Sequence, residues 1–480
     1  MPDREALSIP SRLTWAASGL AVTQALALVK IGVLARVLSA EELGVYALVM
    51  TYAEGSARFN DLGLEAAIVH FRSLTDRQLN ALLYLGVGAA LLTLGATVGI
   101  VALAEAPRTL ALFLGVGLAA LVRVPGTQAA ALLQARHRHD TLARVGIASA
   151  LAGDLLAIAL LLSGSGLLAV VSGLATSAIV YAIGMFTAAD VLRVRGTWRA
   201  AALPEVRPVL AFAGYQFLAG LCNLLMHRLD RFLLLAAYGL ETLGAYELAK
   251  QLTFRPYRLI GTVVYQVYFP VYAELQADLR RLRATYLSVL RATVLVTAPA
   301  YLLLAVYAEE ASALLFGPGL PVAPRMIRAL SSLGFAYSVI HPIGSFLRGV
   351  GRSRAELAFQ ASAAVALATA LTLAIAAASG GIIPALTIYG VLGGAGLLIL
   401  DYGWRRRYAQ MSAWYEVGAL LESGLWATLV TAVTLAGTSL ATTVLPTVGS
   451  AYGSLAIAGV VYGTYVAWRL APRRQPNLAP

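Results

Sequence analysis

The side chains with chemistry to offer are charged groups set inside apolar stretches. Eight are basic, Lys30, Arg58, Arg123, Arg228, Arg231, Lys250, Arg255 and Arg258, and six are acidic, Glu54, Asp61, Glu65, Asp154, Asp230 and Glu247. Arg36 stands at the edge of one such stretch, and Arg325 and Arg328 open another. An ion in hydrocarbon costs at least about 2.5–3.5 kcal/mol on insertion scales, so each must meet a countercharge, reach an interface or line water. Cations outnumber carboxylates, and a water-filled path with that balance attracts an anionic solute. Phosphate suits arginine, whose planar guanidinium offers two parallel N–H groups. Lys30, Arg36, Arg58, Arg228, Arg231, Lys250, Arg255 and Arg258 are therefore candidates for a cationic, anion-binding lining. Glu54, Asp61, Glu65, Asp230 and Glu247 are candidates for ion coupling or for internal neutralisation. Glu54 and Arg58 stand four apart, as do Asp61 and Glu65, which puts each pair on one helical face, and Glu247 is three from Lys250. Asp154 and Arg123 read as structural, an intrabundle ion pair or a snorkelling chain.

The elements that carry these groups follow from composition. Of 480 residues, 59% are hydrophobic and 12% charged, with mean hydropathy +0.76. A soluble globule is nearer 25% charged and has too little core for this much apolar side chain. The 44 glycines have no period, which excludes collagen and suits close helix approach in a lipid-embedded bundle. The net charge of +12 is clustered between apolar runs, as in cytoplasmic membrane loops, and does not indicate nucleic-acid binding. Cys222 is the only cysteine, so an intrachain disulfide and a cysteine-based cluster are excluded. Residues 1–12 are polar, and the apolar run from Leu13 is too long for a cleavable signal.

With about 20 apolar residues per crossing, fourteen spans are expected: 13–38, 43–66, 79–104, 109–133, 143–163, 166–190, 209–236, 242–268, 286–307, 323–348, 356–378, 382–401, 424–444 and 450–470. Spans 43–66 and 242–268 are the most charged, and Ser163-Gly164-Ser165-Gly166 is a tight turn between two antiparallel helices. Alternate connections are basic, from Arg72 and Arg77 through Arg136, Arg138 and Arg144 to Arg405, Arg406 and Arg407. The intervening ones, such as Ser39–Glu42 and Tyr238–Glu241, are basic-poor. One missed span would invert this alternation, which instead runs unbroken and puts both chain ends in the cytoplasm.

The expected fold is an all-α integral membrane protein of about 14 transmembrane helices, in two six-helix bundles plus a C-terminal helix pair. The bundles occupy 1–190 and 209–401, joined by a cytoplasmic linker at 191–208. A second linker at 402–423 precedes the pair at 424–470 and a cytoplasmic tail at 471–480. Tyr272 to Tyr286 reads as an amphipathic surface helix, with Leu275, Leu279 and Leu282 on one side and Arg280, Arg281 and Arg283 on the others. Two repeats around a central path suit a transporter that rocks one half against the other.

No enzyme constellation is present: the chain lacks HExxH, GxSxG, a Walker A loop and a DxD-type carboxylate pair. His70, His137, His139, His227 and His341 lack metal-ligand spacing, apart from His137 and His139 in a basic loop. No cofactor or metal is expected, and any driving force would come from an ion or substrate gradient. Tyr215, Phe217, Phe254, Tyr257, Tyr265, Tyr268 and Phe269 cluster in spans seven and eight, as an interface belt or a stacking surface.

Several segments carry a resemblance. Ile31 to Gly44 (IGVLARVLSAEELG) resembles the start of bacterial polysaccharide exporters, the oligosaccharide flippases of the multidrug/oligosaccharidyl-lipid/polysaccharide superfamily. Asn60-Asp61-Leu62-Gly63-Leu64 after Phe59 resembles their second-helix motif. Leu229-Asp230-Arg231-Phe232 with Gly239 to Tyr246, Phe269 to Leu275 with 279–286, and Gly349 to Arg354 resemble further motifs. The matches run through roughly residues 12–400. The resemblance implies an inner-membrane flippase for an undecaprenyl-pyrophosphate-linked oligosaccharide, with a basic cavity for the pyrophosphate and membrane lipid around the prenyl tail. A glycan polymerase or glycosyltransferase would be its partner in lipopolysaccharide or exopolysaccharide synthesis. Arg36 and Asp61 fall on motif positions, whereas Arg58 and Glu65 depart from the family pattern. Two other readings stay open: a cation-coupled multidrug or metabolite exporter using Asp61, Glu65 and Asp230, and a non-transporting membrane partner of a polysaccharide assembly complex.

Overall fold

The computed structural model describes residues 9–71, 74–103, 107–136, 138–189, 201, 203–408, 422, 425–426, 428–434 and 458–466. The described residues form helices joined by short turns. The chain divides into two compact units, Met1–Glu247 and Leu248–Pro480. Residues 191–200, 409–421, most of the expected C-terminal pair and the tail 471–480 lie outside the described residues.

In the first unit the helices are α1 (Ile9–Val37), α2 (Ala40–Asp61), α3 (Leu64–His70), α4 (Asp76–Leu103), α5 (Pro107–Ala135), α6 (His139–Leu162), α7 (Leu167–Ala188) and the larger part of α8 (Leu203–Thr253). Ser39 caps α2 through a reciprocal capping box with Glu42. The turn between α6 and α7 is as short as its sequence predicts, with Gly164 and Gly166 in the left-handed region. α8 lies antiparallel to α2. Ala213 meets Gly63, Phe217 meets Phe59, Leu224 meets Gly55 and Leu240 meets Gly44.

The second unit holds the end of α8, then α9 (Arg255–Glu274), α10 (Leu279–Val306), α11 (Ala308–Phe316), α12 (Ala323–Gly349), α13 (Ser353–Ala377) and α14 (Ile382–Tyr408). In α10, Pro299 has no N–H to give the Leu295 carbonyl one turn earlier. The Tyr465 hydroxyl donates to that carbonyl at 3.0 Å, and the Tyr462 hydroxyl donates to the Val296 carbonyl at 2.9 Å. Tyr465, Val430 and Ala458 bury themselves against Leu303 and Tyr307, so the 428–434 and 458–466 helices are fixed to α10. Tyr465→Phe leaves the Leu295 oxygen buried without a donor and is expected to cost about 1–3 kcal/mol. Thermal unfolding in detergent reads this directly, and an unchanged midpoint would show that the bond carries no weight.

Among the described residues, nine helices are long and apolar enough to cross a membrane: Asp76–Gly99, Leu110–Ala135, Asp140–Leu162, Leu167–Ala188, Leu203–Thr253, Leu279–Val306, Ala323–Gly349, Arg354–Ala377 and Ile382–Tyr408. This is a multi-pass membrane protein.

Three expectations are corrected. Span 43–66 is not continuous: α2 ends at Asp61, because Leu62 (φ 50°) and Gly63 (φ 76°) are left-handed and restart the chain as α3. Asp61 and Glu65 therefore do not share one helical face. Span 242–268 is also two helices, since α8 ends at Thr253 and α9 opens on Arg255-Pro256, with proline where its missing N–H is harmless. The surface helix expected over Tyr272–Tyr286 is absent. A short 3-10 turn, Leu275–Ala277, ends α9, and the Asp278 carboxylate caps α10 by accepting from the N–H groups of Arg280 and Arg281. The basic trio 280, 281 and 283 thus lies on the first turns of α10 itself.

Candidate functional site

The charged residues sort by what they touch. In the first unit Lys30 on α1 pairs with Asp154 on α6. Glu54 on α2 takes both the Nε and an Nη of Arg228 on α8, a forked pair that fixes the two antiparallel helices in register. Glu54 was a candidate partner for Arg58, four residues on; the structure gives it to Arg228 instead, because α8 rather than solvent covers that face of α2.

The helix reversal at Gly239 is held by two rungs. Gly239 adopts φ 80°, ψ 178°, a conformation open to glycine, and breaks α8 into two arms. Across them Arg231 donates two hydrogen bonds of 2.6 Å to the Glu247 carboxylate, with both side chains 1% exposed. One residue back on each arm, the Tyr246 hydroxyl donates to Asp230, which also accepts from the Arg231 N–H at 2.9 Å. The motifs at 229–232 and 239–246 therefore close a hairpin of helices. Glu247, expected to neutralise Lys250, carries this forked pair with Arg231.

The break after α2 gathers a second group. The Asp61 carboxylate accepts from the N–H groups of Gly63 (3.1 Å) and Glu65 (2.9 Å), satisfying donors at the start of α3. Gly63 lets α8 approach: a Cβ there would lie 2.2 Å from the Ala213 carbonyl oxygen. Arg58 and Arg123 both lie within electrostatic reach of Glu65. Arg123 stands over the Tyr181 ring, its guanidinium carbon 3.9 Å from the centroid. Arg58 is exposed on α2, beside Gly220 of α8. Arg36 is exposed near the end of α1 and donates to the Gly32 carbonyl at 3.2 Å.

In the second unit Lys250 is buried with its ammonium 5.5 Å from the Phe254 ring centroid. Arg255 and Arg258 are half-buried in the first turns of α9. Among the described residues, neither Arg58 nor Arg258 has a carboxylate within ion-pair distance, whereas Lys30, Arg228 and Arg231 each have one. The aromatic residues expected as one cluster divide. Phe217 packs edge-on to Phe59 in the first unit. In the second, Phe254 and Tyr257 surround Tyr337, and Tyr257 also meets His341. Tyr268 lies beside Tyr272. The side chains of Tyr265 and Phe269 lie outside the described ones. Two further pairs are present: Arg348 with Glu356, and the buried Arg405, read in sequence as loop charge, with Asp401 one turn before it. The spacing of Asp401 and Arg405 was the available signal for the second. Among the described residues, no group of three His, Cys, Asp or Glu side chains is placed to hold a metal ion.

Such a chain, with apolar side chains exposed along its helices and charges paired between them, is a helical membrane protein. It belongs to the polysaccharide biosynthesis protein family, whose model matches residues 33–319. It is 24% identical to the lipopolysaccharide biosynthesis protein WzxC of Escherichia coli (strain K12), over 72% of this chain and 70% of that one. In fold it is similar to the lipid II flippase MurJ in an inward closed conformation, with TM-score 0.73, 11% identity, and 95% and 98% of the two chains covered. It is also similar to an inward-facing multidrug resistance MATE family transporter of the MOP superfamily, with TM-score 0.62, 14% identity, and 82% and 98% covered.

Proposed function

We propose that this protein is an inner-membrane flippase. It carries an undecaprenyl-pyrophosphate-linked oligosaccharide from the cytoplasmic to the outer leaflet, by alternating access and without covalent chemistry. The observation that carries this reading is the family match across residues 33–319. The fold alone does not separate it from drug export, since MurJ and a MATE transporter both resemble it. The reading carries with it a fourteen-span chain with both ends cytoplasmic, a glycan polymerase or glycosyltransferase as partner, and no cofactor.

The pyrophosphate is the costly part of the cargo, because its charge loses water on entering the membrane. Arg58 and Arg258 are the cations we assign to that cost; Lys30, Arg228 and Arg231 instead neutralise carboxylates. The drug-exporter reading needs membrane carboxylates that can bind and release cations. Of the three carboxylates that reading uses, Asp230 is engaged by the Tyr246 hydroxyl and Asp61 by the N–H groups of Gly63 and Glu65, while Glu65 lies within reach of Arg58 and Arg123.

Binding tests the assignment. Purified protein should bind a pyrophosphate-linked lipid oligosaccharide more weakly as salt rises. Arg58→Gln with Arg258→Gln should weaken it at least about tenfold, the loss expected for a charge-assisted hydrogen bond. Unchanged affinity in the double variant would remove these two arginines from the site.

A further inference from the structure

Two arginines from different helices meet on one tyrosine, where α13 begins and α14 ends. The guanidinium carbon of Arg352 lies 5.0 Å from the centroid of the Tyr408 ring, and that of Arg407 lies 5.7 Å from the same centroid. Both arginines are exposed. The basic residues one turn or less before them are already answered, Arg348 by Glu356 and Arg405 by Asp401. Among the described residues, neither Arg352 nor Arg407 has a carboxylate within ion-pair distance. The ring that gathers them is itself fixed. Trp404, one turn earlier on α14, stacks on Tyr408 with centroids 5.2 Å apart, and Phe359 of α13 meets Trp404 edge-on at 6.0 Å.

The ring draws each guanidinium to it, but it neutralises neither, and like charges held this near each other repel. The last turn of α14 favours cations through its helix dipole, which accounts for Arg407 and not for Arg352. Arg352 instead stands at the N-cap of α13 and offers no side-chain cap to the first-turn N–H groups, so that helix brings its positive end to the same place. Three sources of positive charge therefore converge, and an anion is the missing partner.

The depth of the site says which anion. The crossing segments Arg354–Ala377 and Ile382–Tyr408 begin and end here, so the arginines stand at the edge of the apolar layer. Tryptophan and tyrosine are enriched at that level, where lipid headgroups lie. A phosphate there matches the guanidinium fork, and basic pockets between membrane helices take anionic headgroups.

We infer that Arg352 and Arg407, gathered on Tyr408, bind the phosphate of an anionic phospholipid and that the lipid ties α13 to α14. The site lies wholly within the second unit, uses none of the cations assigned to the cargo, and does not depend on what the protein transports.

The test uses the full-length protein in detergent, with phosphatidylglycerol, phosphatidylcholine or soluble glycerol phosphate added. Phosphatidylglycerol should raise the unfolding midpoint along a saturating curve that the other two do not reproduce. Arg352→Gln with Arg407→Gln should lose most of that rise. In the wild type, phenylglyoxal modification of each arginine is read by peptide mass. At about ten times its Kd, phosphatidylglycerol should slow modification of Arg352 and Arg407 about tenfold, because only the free fraction reacts. The exposed Arg325, at the other end of α12, should be little affected. Protection no greater than that of Arg325 would overturn the site, whether or not the variant folds. A rise undiminished in the double variant would overturn it too. An equal response to phosphatidylcholine or to glycerol phosphate would overturn the assignment to an anionic lipid.

Discussion

Arg231→Ala is expected to destabilise the protein by about 3–5 kcal/mol, because it strips the buried Glu247 carboxylate of its forked arginine partner. Both side chains are 1% exposed, so no solvent screens the loss. The pair also stands at the one place where α8 reverses, with Gly239 offering no side chain to hold the bend. The neighbouring rung, Tyr246 to Asp230, shares the same two arms and should loosen with it. Arg231→Met combined with Glu247→Leu should recover much of the stability, since apolar groups of similar volume need no countercharge. Chemical or thermal unfolding of the wild type, both single variants and the double variant gives the coupling energy. An Arg231→Ala protein within about 1 kcal/mol of wild type would show that the rung does not hold the reversal.

Gly44→Ala should prevent accumulation of folded protein, as should Gly244→Ala. A Cβ on Gly44 would fall 2.1 Å from the Leu240 carbonyl oxygen, and one on Gly244 would fall 2.4 Å from that of Ala40. The atoms struck are backbone, so no rotamer change relieves the contact, and overpacking of a well-packed core already costs about 1–3 kcal/mol where side chains can shift. The two glycines face the same crossing, where the start of α2 meets the arm of α8 beyond Gly239. Small residues at such crossings let helix backbones approach within lipid. Size-exclusion profiles of the solubilised variants should show aggregate in place of the wild-type peak. Gly88, whose Cβ would meet nothing within 4 Å, provides the control, and Gly88→Ala should elute as wild type. A normal peak for Gly44→Ala would mean that the crossing is looser than described.

How much of this was legible in sequence depended on how local the cause was. Hydropathy is a local property, so the cores of the nine described crossing helices lie where apolar runs placed them. The 163–166 turn was legible for the same reason, its glycines being the only residues suited to the backbone required. The end of α2 was hidden because Leu62, not only Gly63, takes a left-handed conformation that leucine rarely adopts. The break before Pro256 carried a signal, since a proline within an apolar run lacks an N–H for the preceding turn and is favoured in the first turn of a new helix.

Ion pairing was the least legible layer. Arg228 with Glu54 and Lys30 with Asp154 join residues far apart in the chain, and their partnership depends on helix register that no local pattern records. The consequence for function is specific. A tally of membrane cations mixes structural arginines with those that can meet an anion, and only the partner helix tells them apart. Motif positions behave the same way: Asp61 caps α3, while Asp230 and Arg231 close the α8 hairpin.

The central claim is translocation, and leaflet transfer measures it most directly. Purified protein is reconstituted into vesicles holding a fluorescent undecaprenyl-pyrophosphate oligosaccharide, and the label in the outer leaflet is reduced by an impermeant quencher. An active flippase returns inner-leaflet label to the surface, so the quenched fraction should rise well beyond the half reached in protein-free vesicles. Arg58→Gln with Arg258→Gln should slow that second phase. Quenching that stops at the same level with and without folded protein, in the presence of an ion gradient as well as without one, would contradict the account.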